Sequence, residues 1–272
     1  MIYYKTDEEV EIMRRANLLV SEVHTNIAAI IKPGMTGLEL DKMAEEIIRD
    51  NGAIPGFKGL YDFPNTLCFS PNEVIVHGVP SDKPIKDGDL ISVDCGTIVD
   101  GFYGDSAYTF CVGDVSEEKM QLCRATKTSL YLAIEQAIVG KRLGDIGFAV
   151  QNYIERECNY YVVKSLVGHG LGKSLHEEPE VSNYGKRGNG IKLRENLTIA
   201  IEPMVNLGTR DVRALKNGNI VTKDKKASAH YEHTVAVKKE KADILSSFSG
   251  IEAAIAKNPN VKSVELLMAV TE

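Results

Sequence analysis

Leu90-Ile91-Ser92-Val93-Asp94 and Tyr103-Gly104-Asp105-Ser106-Ala107-Tyr108-Thr109-Phe110-Cys111-Val112 stand on either side of Asp100-Gly101. Both flanks are β-branched, aromatic or alternating, and Asp-Gly between such runs signals a two-residue type I′ hairpin. With Val99 paired to Phe102, Gly96 faces Asp105 and Asp94 faces Ala107. Side chains alternate along a strand, so Asp94 and Asp105 become diagonal neighbours on one face, their backbones about 7–8 Å apart. A slip of one residue would send Asp105 to the other face. Two carboxylates so close repel unless a cation lies between them. Taken alone, the pair also reads as two solvated aspartates on an exposed face. The neighbours Ile91, Val93, Tyr103, Tyr108 and Phe110 argue instead for buried strands, where an unpaired carboxylate is costly.

Working outward, Thr6-Asp7-Glu8-Glu9 is a capping box, and Ile12, Ala16, Leu19, Val20, Val23, Ile27 and Ile30 keep a helical period until Pro33-Gly34. Thr36-Gly37-Leu38-Glu39 repeats the cap ahead of a shorter stripe that ends at Asn51-Gly52. The order returns with a helix from about Ser116 to Gly140 and a short one carrying Ile146, Val150 and Ile154. Ile47 and Ile154, like Arg49 and Arg156, are 107 positions apart, a weak sign of internal duplication. Asn196 to Glu202 and Ala229 to Val237 are further strand signals. Helices and strands come in blocks, so an α+β architecture with a mainly antiparallel sheet is expected. No linker divides the chain. Residues 1–245 are expected to form one catalytic domain and residues 246–272 a C-terminal tail of unknown role, with one helix near Ile251 to Ala256.

The chain has 272 residues, a formal charge of −6 and ordinary apolar and charged fractions of 43% and 26%. A chain of this length buries a full core without staples. The acidic balance argues against nucleic-acid binding and against an anionic membrane surface. The apolar run Ile27-Ala28-Ala29-Ile30-Ile31 is too short to span a bilayer. The first eleven residues carry four acids and no export signal, and five cysteines without a CxxC pair suit a reducing compartment. A cytoplasmic monomer is the expectation.

Three more acids and histidines stand out. His169 lies in Gly168-His169-Gly170-Leu171-Gly172, where glycines permit close backbone approach, although a lone histidine there is more often structural. Glu202 ends the apolar run Leu197 to Ile201 just before Pro203, which cannot continue a central ladder. Glu232 and His233 alternate to opposite faces; Val235 and Val237 share the face of His233, which leaves Glu232 as the site candidate. Asp94, Asp105, His169, Glu202 and Glu232 form an oxygen-rich set suited to two divalent ions about 3.5–4 Å apart. Ligand hardness favours Mn, Fe or Co, and zinc can also enter.

In order and context these residues resemble the type I methionine aminopeptidases of the pita-bread metallopeptidase family. The resemblance runs from about residue 1 to 245. It rests on Asn72-Glu73-Val74-Ile75-Val76-His77-Gly78-Val79-Pro80, Asp100-Gly101-Phe102-Tyr103-Gly104-Asp105, His169-Gly170-Leu171-Gly172 with His176-Glu177-Glu178-Pro179, Ile201-Glu202-Pro203-Met204, and Tyr231-Glu232-His233-Thr234. It implies a pseudo-twofold pita-bread fold. It also implies that Asp105 and Glu232 bridge two metals, Asp94 holding one ion and His169 with Glu202 the other. His77 would contact the substrate amine or scissile nitrogen, His176 would polarise the scissile carbonyl, and Leu60, Phe63, Cys68, His77 and Leu175 would line the methionine pocket. The type II branch has a long insert between the last two ligands; here Glu202 and Glu232 are 30 residues apart. The sequence departs from the family at Asn219, where a tryptophan is frequent, and at Leu60 and Leu175, where Tyr or Phe often stands.

The implied activity is removal of the initiator methionine from nascent proteins with a small second residue, Glu202 shuttling the proton. Nascent N-termini are the expected partners, with a passing ribosome contact. The alternatives are an Xaa-Pro peptidase of the same fold, a non-catalytic peptide-binding relative, and a dinuclear phosphatase or nuclease, against which the acidic charge weighs.

Overall fold

A computed structural model describes residues 1–215 and 218–267. Helix α1 (Asp7–Ile30) begins where the sequence places it. Thr6 Oγ1 accepts from Glu9 N, the Glu9 carboxylate accepts from Thr6 N, and the acids of the first turn face the helix's positive end. Helix α2 (Gly37–Asp50) repeats the box with Thr36 and Glu39. The second half runs in the same order, with α3 (Glu117–Ile134) and the shorter α4 (Leu143–Gln151). Helix α3 stops at Ile134 rather than Gly140. The backbone of Val139 donates to the Lys238 carbonyl instead, and Gly140 turns at φ 96°; a tertiary bridge outcompetes the last helical turn. At the 107-residue offset Ile154 lies in a π-helical segment (Asn152–Glu157) that continues α4 without a break, whereas Ile47 is in the regular turn of α2.

The strands Asp89–Val99 and Phe102–Val112 form the long hairpin. Val99 pairs with Phe102, Gly96 with Asp105 and Asp94 with Ala107. Asp100 and Gly101 both take positive φ, 48° and 81°, which a type I′ turn requires. Leu67–Pro71 and Ile54–Pro55 pair with the Asp89–Val99 side, and Val261–Lys262 with the far edge at Cys111 and Val112. In the other half Thr198–Ile201 lies between His233–Ala236 and Gly168–Gly170, and Glu177–Val181 pairs outside Gly168–Gly170. The expected strand from Ala229 to Val237 is two strands, Ser228–His230 and His233–Ala236, broken at Tyr231 and Glu232. These antiparallel strands with helices against them make the α+β, pita-bread arrangement.

One apolar core runs through both halves, from Val20, Val23 and Ile27 of α1 through Ile91, Val93 and Phe110 to Leu130, Ile199 and Val235. The segment after Leu245 lies on α1. Helix α5 (Ser249–Ile255) packs there, and Asn258 Nδ2 donates to the carbonyls of Ala28 and Ile31, each at 2.9 Å, closing the C-terminal end of α1. The last five positions of this segment lie outside the described residues. Among the described residues no helix is long and apolar enough to cross a membrane.

Candidate metal centre

The hairpin supplies Asp94 and Asp105 on one face, and the strand pair at 228–236 is fastened across it. Ser106 Oγ donates to the Glu232 carbonyl (2.7 Å), Glu232 N to the Ala107 carbonyl (2.9 Å), and Thr234 Oγ1 to the Asp105 carbonyl (2.8 Å). These bonds set Glu232 beside Asp105. Gly168–Gly170 brings His169 in from the other half. A Cβ on Gly168 would stand 2.3 Å from the Ala200 carbonyl oxygen, and one on Gly170 2.4 Å from that of Glu178. The glycines are needed for strand contact on both sides. Neither takes a positive φ, so close approach is the reason for them.

His169 Nδ1 donates to the Gly170 carbonyl at 2.9 Å. That fixes the tautomer and leaves the Nε2 lone pair for a cation. Nε2 is 3.6 Å from Asp105 Oδ2 and 3.6 Å from Glu202 Oε1. One donor atom each from Asp105, His169 and Glu232 lie within 4.8 Å of one another. Glu202 follows the end of Thr198–Ile201, as its proline neighbour requires, and its carbonyl accepts from Asn183 Nδ2 at 2.9 Å.

The electrostatics are unfavourable without a cation. Burial pushes the Asp94 carboxyl up to about 7, with Glu202 adding to it and His230 opposing. Burial likewise raises Glu202 to about 7, against His169. Asp105 and Glu232 are pushed well above the carboxylate range by burial and by the neighbouring acids. Asp94 Oδ1, Asp105 Oδ1 and Glu232 Oε1 are buried with no hydrogen-bond donor. Clustered carboxylate oxygens lacking donors fit divalent cations, which supply the charge the protein does not.

All eleven residues singled out in the sequence line one cavity of about 410 Å³: Asp94, Asp105, His169, Glu202 and Glu232, with His77, His176, Leu60, Phe63, Cys68 and Leu175. Cys68 is the cross-strand partner of Asp94. Phe57, Cys68 and Leu175 form a small apolar cluster with Leu60, Phe63 and Tyr103 against it. The His176 ring meets His169 edge-on at 4.5 Å and stacks on Tyr61 at 5.9 Å. Its turn is braced by Glu177, which accepts from Lys5 Nζ (2.6 Å) and Lys173 N (2.9 Å). His77 has a positive φ of 58°, a strained backbone of the kind found at functional sites. A larger cleft of about 1080 Å³ lies behind His233, but the convergent acids are in the smaller one.

His233 is turned away from the acids. Its Nδ1 is 2.6 Å from Ser246 Oγ and its ring stacks on Phe248 at 3.8 Å. His230 was not singled out by its sequence context, yet its Nε2 is 3.3 Å from Glu202 Oε2. Burial lowers it to about 4, against the pull of Asp94. The signal was present: His230 stands two positions before Glu232 and so shares its side of an extended chain. Tyr61, which stacks on His176, carried no such pattern.

Residues 11–239 match Metallopeptidase family M24. The chain belongs to that family, among the methionine aminopeptidases. It is 45% identical to the methionine aminopeptidase of Clostridium perfringens over 247 residues, covering 90% of this chain and 99% of that one. It is 44% identical to methionine aminopeptidase 1 of Bacillus subtilis, with the same coverage. The crystal structure of the Thermotoga maritima methionine aminopeptidase superposes with a TM-score of 0.89 at 38% identity, covering 91% of this chain and all of that one. M24 members are metallopeptidases, and the acid cluster meets that chemistry.

Proposed function

We propose that this protein removes the initiator methionine from protein N-termini whose second residue is small, using two divalent ions. The observation that carries the reading is the convergence of four buried or half-buried carboxylates and one histidine on the floor of a cavity with an apolar wall. Asp105 and Glu232 would be shared between two ions, Asp94 completing one set and His169 with Glu202 the other. Such ions, when bound, acidify a water and polarise a carbonyl.

The chain's own residues do the rest. Leu60, Phe63, Cys68 and Leu175 accept an unbranched thioether side chain, for which a polarizable, apolar lining is suited. His77 holds the substrate amine or scissile nitrogen. His176 donates toward the scissile carbonyl oxygen as charge develops there. Glu202 takes the proton of the attacking water and returns it to the leaving amine. Residues 1–245 carry this machinery, and the segment beyond it acts as a brace on α1. Nascent chains emerging from ribosomes are the substrate source, in the cytoplasm.

The test is turnover of Met-Ala, Met-Gly, Met-Ile and Ala-Pro peptides with Mn, Fe, Co or Zn supplied. Release of methionine from the first two alone is expected. Cleavage of Ala-Pro in preference, or equal cleavage of Met-Ile, would overturn the substrate assignment.

A further inference from the structure

His230 takes no part in the reaction outlined above, and it is not one of the five ligands. Its position is nonetheless tightly determined. The strand Ser228–His230 pairs with Met204–Asn206, placing His230 opposite Met204, two residues beyond Glu202. Its backbone is held twice by one hydroxyl: His230 N donates to Thr109 Oγ1 at 3.0 Å, and Thr109 Oγ1 donates to the His230 carbonyl at 2.7 Å. The residue is 1% exposed. Its Nε2 has no hydrogen-bond partner in the present geometry and is 3.3 Å from Glu202 Oε2. A fully buried ring nitrogen without a partner is expensive. The nearest remedy is the carboxylate beside it, whose Oε2 is the acid oxygen at 3.3 Å from Nε2.

We propose that His230 is a positioning residue for the metal centre, its Nε2–H donating to Glu202 Oε2 and so fixing the carboxylate with Oε1 on the side of His169, where the two would hold an ion. The inference rests on the reading of Glu202 as a ligand. The imidazole does for the carboxylate what the Gly170 carbonyl does for His169: it fixes the orientation of a ligand from outside the coordination sphere. Such outer partners are worth about 10- to 100-fold in metal affinity. A donor on Oε2 also confines Glu202 to one metal-facing oxygen.

The experiment compares His230→Gln, which keeps an N–H donor, with His230→Leu, which fills the space without one. Metal affinity is measured by chelator competition with Co(II) and Zn(II), alongside the visible spectrum of the Co(II)-loaded protein. The leucine variant should weaken one of two binding steps by about 10- to 100-fold and change the cobalt spectrum. The glutamine variant should restore both. Equal loss in the two variants would mean that the ring nitrogen itself binds metal, and equal retention would mean that it does nothing for the site; either overturns the proposal. If the leucine variant does not fold, the ¹⁵N signals of His230 in the zinc-loaded unaltered protein decide the matter. A protonated Nε2 supports the proposal, and a deprotonated one refutes it. An unaltered protein that binds two ions while the variants bind as well removes this inference alone, whereas an unaltered protein that binds none removes the metal reading with it.

Discussion

Glu202 and Glu232 are five and three residues past Leu197 and Ala229, the starts of runs that read as ordinary apolar strands, and what distinguishes them is the company they keep. Exchange of Glu202 for Gln removes the proton acceptor while keeping the shape. The expected result is a fall in kcat of about 10²- to 10⁴-fold, measured on Met-Ala with saturating metal. A variant within tenfold of the unaltered enzyme would take the shuttle role from Glu202. Leu175 is a buried wall residue of the cavity, in a cluster with Phe57 and Cys68. Leu175→Ala is expected to raise KM for methionyl peptides and to lower stability by about 2 kcal/mol, the low end for a buried leucine because the cavity is open to solvent on one side. Thermal unfolding and KM are the two readouts; an unchanged KM would show that the side chain does not meet the substrate. At this scale the sequence was informative where residue type restricts chemistry. It was silent on Tyr61, whose stacking on His176 depends on a fold-back of the chain.

The hairpin and α1 show how elements convert local rules into a site. Asp100-Gly101 sets the register because both residues must take positive φ, and the register alone puts the two aspartates on one face. Gly101→Ala is expected to cost about 1 kcal/mol by forcing a Cβ into that region, a loss read in denaturant melts. No loss of stability would mean that the turn relaxes to another type. At the other end of α1, Asn258 reaches two terminal carbonyls that no helical N–H can satisfy. Asn258→Ala is therefore expected to lower stability by about 1–2 kcal/mol without altering kcat. Equal melting midpoints would refute the bracing role of the C-terminal segment. The capping boxes at Thr6 and Thr36 were plain in the sequence since a cap involves residues three apart. The end of α3 was not, because the Lys238 carbonyl that draws the backbone away lies far along the chain.

For the molecule as a whole, the acid cluster couples folding to pH and to metal. Asp94 and Glu202 are held at about 7 in the folded state, above their ordinary 3.8 and 4.5. A carboxyl raised on folding favours the folded state below its unfolded value, and that benefit disappears as pH rises through 7. The chelator-treated protein should accordingly lose stability from this cluster between about pH 4 and 7. Added Mn or Co should raise the melting temperature more at pH 8 than at pH 6, because the cations offset repulsion among ionised carboxylates. Differential scanning fluorimetry with and without chelator measures this. An equal gain at both pH values would indicate that the ions are not held by these acids.

Short-range rules in the chain are enough for the helix starts and the hairpin register, and they single out five candidate ligands. Each is governed by spacing of two to four residues or by a turn of fixed length, and such rules need no distant partner. Only the packed chain brings His169 of one half to Asp105 of the other, seats the ring of His233, which alternation already turns from Glu232, on Phe248, and brings His230 to Glu202. Those contacts join residues far apart in the chain, held by hydrogen bonds such as Ser106 to Glu232 and Thr109 to His230. Local alternation gives the side a residue faces but not the partner it meets there: the contacts exist only once two separately specified sheets have packed around one core.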